Sequence, residues 1–310
     1  MEVLMTKQTK LILKQIIGFS LLLALSSCSK ANNQAENQNK DKLNMSNSSA
    51  AVKTNPTKRI ISLTTISADI VHVLSPESLV GVPGSSLIKK NKGFDGITIV
   101  TQGRNPPNNE LIVSLKPDLV IGADGFHDQT LEHLKKLGIT TLSTKIENWI
   151  DFTEFSNKLA KITNTSTDLI SPRIKACFET TNRKKMSTIL LVSRKPLLTP
   201  NQNSWAGNML KRFGFRNKTA EFTGSSRFKG YINLSPEKLV IVNPESLIVV
   251  DTDDKLLDHL KSENYWKNLA AVKSNNIYSF NYYGLVNPGS LSSINNTCKK
   301  LNEMKKMSKA

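Results

Sequence analysis

Two stretches of this chain repeat one register 127 residues apart, Glu110 to Ile121 (ELIVSLKPDLVI) and Glu237 to Ile248 (EKLVIVNPESLI). In each, a glutamate stands seven residues before a proline, an acidic residue follows that proline, and an apolar run closes the segment. Asn108 and Ser235 precede the two copies as helix caps, which puts each glutamate in the first helical turn, at the positive end of the helix dipole. Pro117 and Pro244 are expected to stop the helix and launch a buried strand, Leu119 to Ile121 and Leu247 to Val250. A capped helix, a proline and a strand are ordinary α/β grammar once. Twice in one register, they imply two similar α/β lobes.

The N-terminus sets the compartment. Lys7, Lys10 and Lys14 lead into an apolar core, Ile16 to Leu25, broken only by Gly18 and Ser20. That core is too short for the roughly 20 apolar residues of a spanning helix, so residues 1–27 are expected to be a secretory signal. Leu25-Ser26-Ser27-Cys28 ends it, and a leucine, two small residues and a cysteine resemble the bacterial lipobox. The lipobox implies that Cys28 receives a diacylglyceryl group and becomes the new N-terminus, with further acylation giving a stable bilayer anchor. Residues 28–57 follow as a tether dense in Asn, Gln, Lys and Ser, too poor in apolar side chains to offset its ordering entropy. A coil of about 25 residues reaches about 25–30 Å, enough for a folded body to move over a membrane.

With a formal charge of +17, nucleic acid would be the expected partner of a cytoplasmic protein. Behind an export signal that inference lapses, and the excess lysine reads as solvated surface with a bias toward anionic ligands or an anionic lipid surface. Cys177 and Cys298 lie in helical stretches without metal-ligand spacing. They are expected to be free, buried thiols, a bridge between them remaining open in an oxidising envelope.

Strands and helices alternate from Arg59 onward, which indicates mainly parallel sheets. Residues 58–150 form a first lobe and 187–310 a second. Between them, residues 151–186 show helical spacing of Phe155, Leu159, Ile162, Leu169, Ile174 and Phe178, interrupted near Thr163–Thr165 and at Ser171-Pro172. The longest unbroken helix of this connector is expected to start near Ser171.

The order of motifs then becomes informative: RIISL, VGV, NNELIVSLKPDLVIG, LKKLGIT, a helical midsection, GYINLSPEKLVIVNPESLIVVD, WKNLAAVKSNNIYSF and a late NPG. From about Lys58 to Leu301 the chain resembles the periplasmic binding proteins for vitamin B12, ferric siderophores and haem that serve ATP-binding-cassette (ABC) importers. The resemblance implies an α/β fold of two Rossmann-like lobes, joined by a single long helical connector, with the ligand in the cleft between them. It implies a lipid-anchored, non-enzymatic solute receptor that captures a ferric siderophore or cobalamin and delivers it to a permease dimer with its ATPase. Glu110 and Glu237 take the positions that dock on permease arginines.

Ligands of open α/β sheets meet the loops after the strands. Ser85, Arg104, Phe126, Arg194, Trp205, Arg227, Tyr231 and Tyr283 are therefore the ligand candidates, Tyr231 standing where the family carries a stacking aromatic. Arg104 stands where the vitamin B12 receptors place an aromatic, and together with Arg194, Arg227 and Lys229 it suits carboxylates or an anionic ferric chelate. No resident metal or cofactor is expected, and no nucleic acid partner. A haem receptor on the same fold is the alternative, with His127, Tyr231, Tyr282 or Tyr283 as axial ligand. A lipid-anchored envelope enzyme is the third reading, without support from any nucleotide-binding glycine motif, GxSxG elbow or paired carboxylates.

Overall fold

The computed structural model describes residues 58–102, 105–179, 186–224, 226–251 and 255–307. Cys28 and Arg104, with the leader and tether, lie outside the described residues.

The first lobe runs β1 (Ile60–Ser62), α1 (Thr65–Leu74), β2 (Leu79–Gly84), α2 (Ser86–Lys89), β3 (Thr98–Gln102), α3 (Asn109–Ser114), β4 (Leu119–Ala123), α4 (Asp128–Lys136) and β5 (Thr141–Thr144). Its five strands are all parallel, in the order β3-β2-β1-β4-β5. The direction of winding reverses between β1 and β4, and that switch opens a crevice beyond the carboxyl ends of the two strands.

Helix α5 (Trp149–Thr163) leads out of this lobe. Asn148 caps it by accepting the Asp151 N–H, and Asn164 ends it in the left-handed region at φ 55°. Contrary to expectation, this is the longest unbroken helix of the connector. Ser171-Pro172 opens only 3-10 turns over Ser171–Cys177, with no side-chain cap and a non-helical Ile174 at φ −124° and ψ 26°.

The second lobe continues with β6 (Ser187–Leu191), β7 (Ser193–Arg194), β8 (Leu197–Pro200), α6 (Trp205–Arg212), β9 (Arg216–Asn217), β10 (Tyr231–Leu234), α7 (Pro236–Val242), β11 (Ser246–Asp251), α8 (Leu256–Lys261), α9 (Ala270–Lys273), β12 (Ile277–Asn281), α10 (Tyr282–Leu285) and α11 (Leu291–Met307). A parallel sheet in the order β12-β11-β6-β9 forms its centre, and β10, β8 and β7 make a small antiparallel sheet that strand patterning did not reveal.

Strand alternation sorts the apolar side chains into layers. Ile60, Leu190, Ile248 and Val250 enter one core that also takes in α5, α6 and α11, and so runs unbroken from one lobe into the other. Their neighbours Ile61, Ile189, Leu247 and Val249 point to two separate outer cores, one under each lobe's outer helices. Buried on both faces, the central strands read as continuous apolar runs.

The expectation of free thiols fails. Cys177 and Cys298 form a disulfide, with their Cα atoms 5.0 Å apart, that ties the connector to α11. The α11 contact that brings them together joins residues 121 apart in sequence, so no local pattern announces it.

Candidate functional site

The repeated segments fold as matching units. Asn108 and Ser235 cap α3 and α7 as expected, accepting the Leu111 and Lys238 N–H groups. The helices end at Ser114 and Val242, and the residue immediately before each proline, Lys116 or Asn243, adopts positive φ (47° and 42°). The prolines therefore follow a left-handed stop that has already ended the helix. Two residues after each glutamate, Ile112 and Leu239 are wholly buried and anchor their helices to the outer cores. Glu110 and Glu237 are exposed, and three residues on, each helix exposes a valine, Val113 at 40 % and Val240 at 38 %. Each lobe thus presents the same carboxylate-and-valine face. The Glu237 carboxyl is held below its usual range by its own backbone N–H and the Ser235 hydroxyl, so it is charged at neutral pH.

Between the lobes, a cavity of about 480 Å³ opens at the β1/β4 switch point. Leu63 to Ile66, Ala123, Asp124, Phe126 and His127 line it from the first lobe, Thr144 to Glu147 from the end of β5, and Tyr283, Asn287 and Pro288 from the second lobe. A second cavity of about 640 Å³ lies on the other side of Tyr283, between Ser86, Leu87 and Lys90 and the Asp251, Asn281 and Lys300 side. Tyr283 is the side chain common to both.

Its backbone is fixed by close approach. Gly284 (φ 94°) lies so near α11 that a Cβ would sit 2.2 Å from the Ser293 carbonyl, and Gly289 (φ 65°) leaves room for the Tyr283 ring, which a Cβ would meet at 2.7 Å. Two aromatics predicted to touch ligand brace this turn. Trp205 is only 3 % exposed; its indole donates to the Gly284 carbonyl at 2.9 Å and stacks with Trp149. Helix α6 turns it inward because its first turn packs on the shared core, so the expected contact between Trp205 and ligand is corrected to a positioning role. Tyr231 is half-buried against the same core and its hydroxyl donates to the Val286 carbonyl at 3.4 Å. Burial pushes the phenol well up, so it stays a donor at any physiological pH.

The other candidates divide. Phe126, 80 % exposed, stands at the first cavity with Tyr283. Ser85 caps α2, accepting the Ile88 N–H at 3.3 Å, beside the second cavity. Arg194 is engaged by Glu263 within its own lobe at 3.2 Å, and Arg227 is exposed on the loop before β10. Sequence reasoning missed Lys145 and Glu147 at the end of β5. Their signal was available, since β5 is one of the strands whose carboxyl ends face the cleft.

His127 does not fit the axial ligand of a haem. Its Nδ1 accepts the Ala123 N–H at 2.9 Å, so the neutral ring carries its proton on Nε2, the nitrogen that would have to bind iron. Burial lowers its pKa and keeps it neutral. Among the described residues, no group of three or more His, Cys, Asp and Glu side chains could hold a metal. No helix among them is long and apolar enough to cross a membrane.

Comparison with known proteins agrees with this architecture. Residues 60–282 match the periplasmic binding protein family model, so the chain belongs to that family of solute receptors and is not an enzyme. It is 26 % identical over 294 residues to the Fe(3+)-citrate-binding protein YfmC of Bacillus subtilis, covering 88 % of this chain and 90 % of that relative. Its fold matches a crystal structure described as a possible iron-binding (periplasmic solute-binding) protein from Staphylococcus epidermidis, with TM-score 0.66, 20 % identity and coverage of 80 % and 98 %. It also matches the periplasmic haem-binding protein HutB of Vibrio cholerae, with TM-score 0.64, 17 % identity and coverage of 82 % and 100 %.

Proposed function

We propose that this chain is the lipid-anchored receptor of an ABC importer, which captures an anionic ferric chelate between its lobes and hands it to a permease dimer with its ATPase. The observation that carries this is the doubled outer face. Two lobes that share a capped helix, a buried anchor, an exposed glutamate and an exposed valine in one register suit a two-fold partner, which offers the same basic and apolar patch twice.

Side chains of the cleft support an anionic ligand. Lys90, Lys300 and Asp251 line one cavity, and Lys145, Glu147 and Asp124 the other, with Tyr283 common to both and Phe126 on the Lys145 side. Cations with a few aromatic walls suit a carboxylate-rich iron chelate. The relative named for ferric citrate points the same way. The His127 tautomer disfavours that side chain as an axial ligand, so a haem reading would rest on Tyr282 or Tyr283. Cys28 supplies the bilayer anchor, and the lysine- and asparagine-rich tether lets the body reach its permease.

Titration of the soluble body with ferric citrate, ferric siderophores, cyanocobalamin and haem, followed by calorimetry, tests the ligand. Anionic ferric chelates are expected to bind at micromolar concentrations or below. Binding of haem with a shifted Soret band, and no binding of any anionic chelate, would replace this reading with the haem receptor.

A further inference from the structure

At the 480 Å³ cavity, three charged side chains from the two lobes meet at one oxygen. Lys145 Nζ lies 3.3 Å and Lys229 Nζ 3.5 Å from the same Oε1 of Glu147. Lys145 and Glu147 follow β5 and line the cavity, whereas Lys229 reaches over from the loop before β10. Two ammonium groups drawn to one carboxylate oxygen repel each other, and the arrangement holds only while an anion sits between them. Glu147 is 30 % exposed and Lys229 70 % exposed, so neither is locked by packing.

The charges around the cavity explain what an incoming ligand would meet. Asp124 lines it too, so the two carboxylates balance Lys145 and Lys229, and the closed arrangement offers no net attraction to an anion. Turning Glu147 out leaves two ammonium groups facing one carboxylate, a net positive site with one lysine from each lobe.

We infer that Glu147 occupies the place of a ligand carboxylate, and that an anionic polycarboxylate chelate enters by displacing it and is then held by Lys145 and Lys229. The inference rests on the receptor reading above and adds a site and an order of events to it. A ligand bridging those lysines keeps the lobes joined there, because Lys229 belongs to the second lobe and Lys145 to the first.

The test is the sign of one substitution. Glu147→Gln keeps the side-chain shape and removes the competing charge, so ferric citrate should bind about threefold to tenfold tighter, as expected for the loss of two half-exposed ion pairs. A neutral ferric trihydroxamate should be unaffected. Lys229→Ala and Lys145→Ala should each weaken ferric citrate by a similar factor and flatten its salt dependence. Melting temperatures of all three variants check the fold. Ferric citrate binding to the wild type with no gain in Glu147→Gln overturns the inference and leaves the receptor reading intact. Failure of ferric citrate to bind Glu147→Gln at all overturns it as well, and then binding of the trihydroxamate or haem to the wild type decides whether the receptor reading survives.

Discussion

Replacing Trp205 with Phe separates a brace from a ligand contact. The ring is 3 % exposed and its Nε1–H is bound to the Gly284 carbonyl at 2.9 Å. Phenylalanine keeps most of the apolar burial and loses the donor, so the main cost is a buried carbonyl left without a partner, about 1–3 kcal/mol. For a body of this size, that lowers the melting temperature by about 2–12 °C. The freed turn carries Tyr283, whose position depends on Gly284 and Gly289; ligand affinity should therefore fall too, by a smaller factor than in Tyr283→Ala. Scanning fluorimetry and calorimetry on the same preparations give both numbers. An unchanged melting temperature with a large loss of affinity would refute the reasoning, because only a ligand-facing indole behaves that way.

Other consequences follow from the same structure. Converting Cys177 and Cys298 together to serine opens a loop spanning 121 residues and should cost about 3–5 kcal/mol; equal urea midpoints with and without reductant would contradict this. Asp69 is buried on α1, where its carboxylate accepts the Leu291 N–H of α11 at 2.7 Å, and burial raises its pKa despite that bond and the nearby His72 and Arg173. With its folded pKa above the unfolded value, its stabilising contribution is full in acid and is lost as pH rises through the folded pKa. Asp69→Asn, which keeps the acceptor, should thus equal or exceed the wild type in urea at pH 7, the difference closing near pH 3; a variant weaker at pH 7 would count against it. Cys28→Ser should abolish incorporation of labelled fatty acid, and a wild type without label would remove the anchor.

Much of the fold was legible because it is written in local chemistry. Asn108 and Ser235 cap where a short polar side chain before an apolar run must cap, and the apolar stretches at Leu119 and Leu247 became central strands. The stops were assigned to the prolines, but the helices end earlier, at Ser114 and Val242, and Lys116 and Asn243 turn left-handed before the prolines act; lysine carries no such signal. Short strands β8 and β10 escaped because LLTP and YINL are too brief to show alternation and one contains proline. The site was harder. Aromatic residues near strand ends were taken as ligand contacts, but helix α6 aims Trp205 inward, and which side of a helix faces the core depends on partners far away in sequence. The pairing of Cys177 with Cys298 and the meeting of Lys229 with Glu147 depend on the same long-range assembly.

Iron uptake in cells carrying Glu110→Arg with Glu237→Arg tests most directly whether the doubled face delivers ligand to a permease. Both side chains are exposed, and the caps and buried anchors Ile112 and Leu239 are left in place. The purified double variant should keep its melting temperature and its affinity for the ferric chelate. Cells expressing it at the wild-type level should lose uptake of the labelled chelate, because like charges would face each other at both docking points. Wild-type uptake by the double-arginine variant would contradict the account.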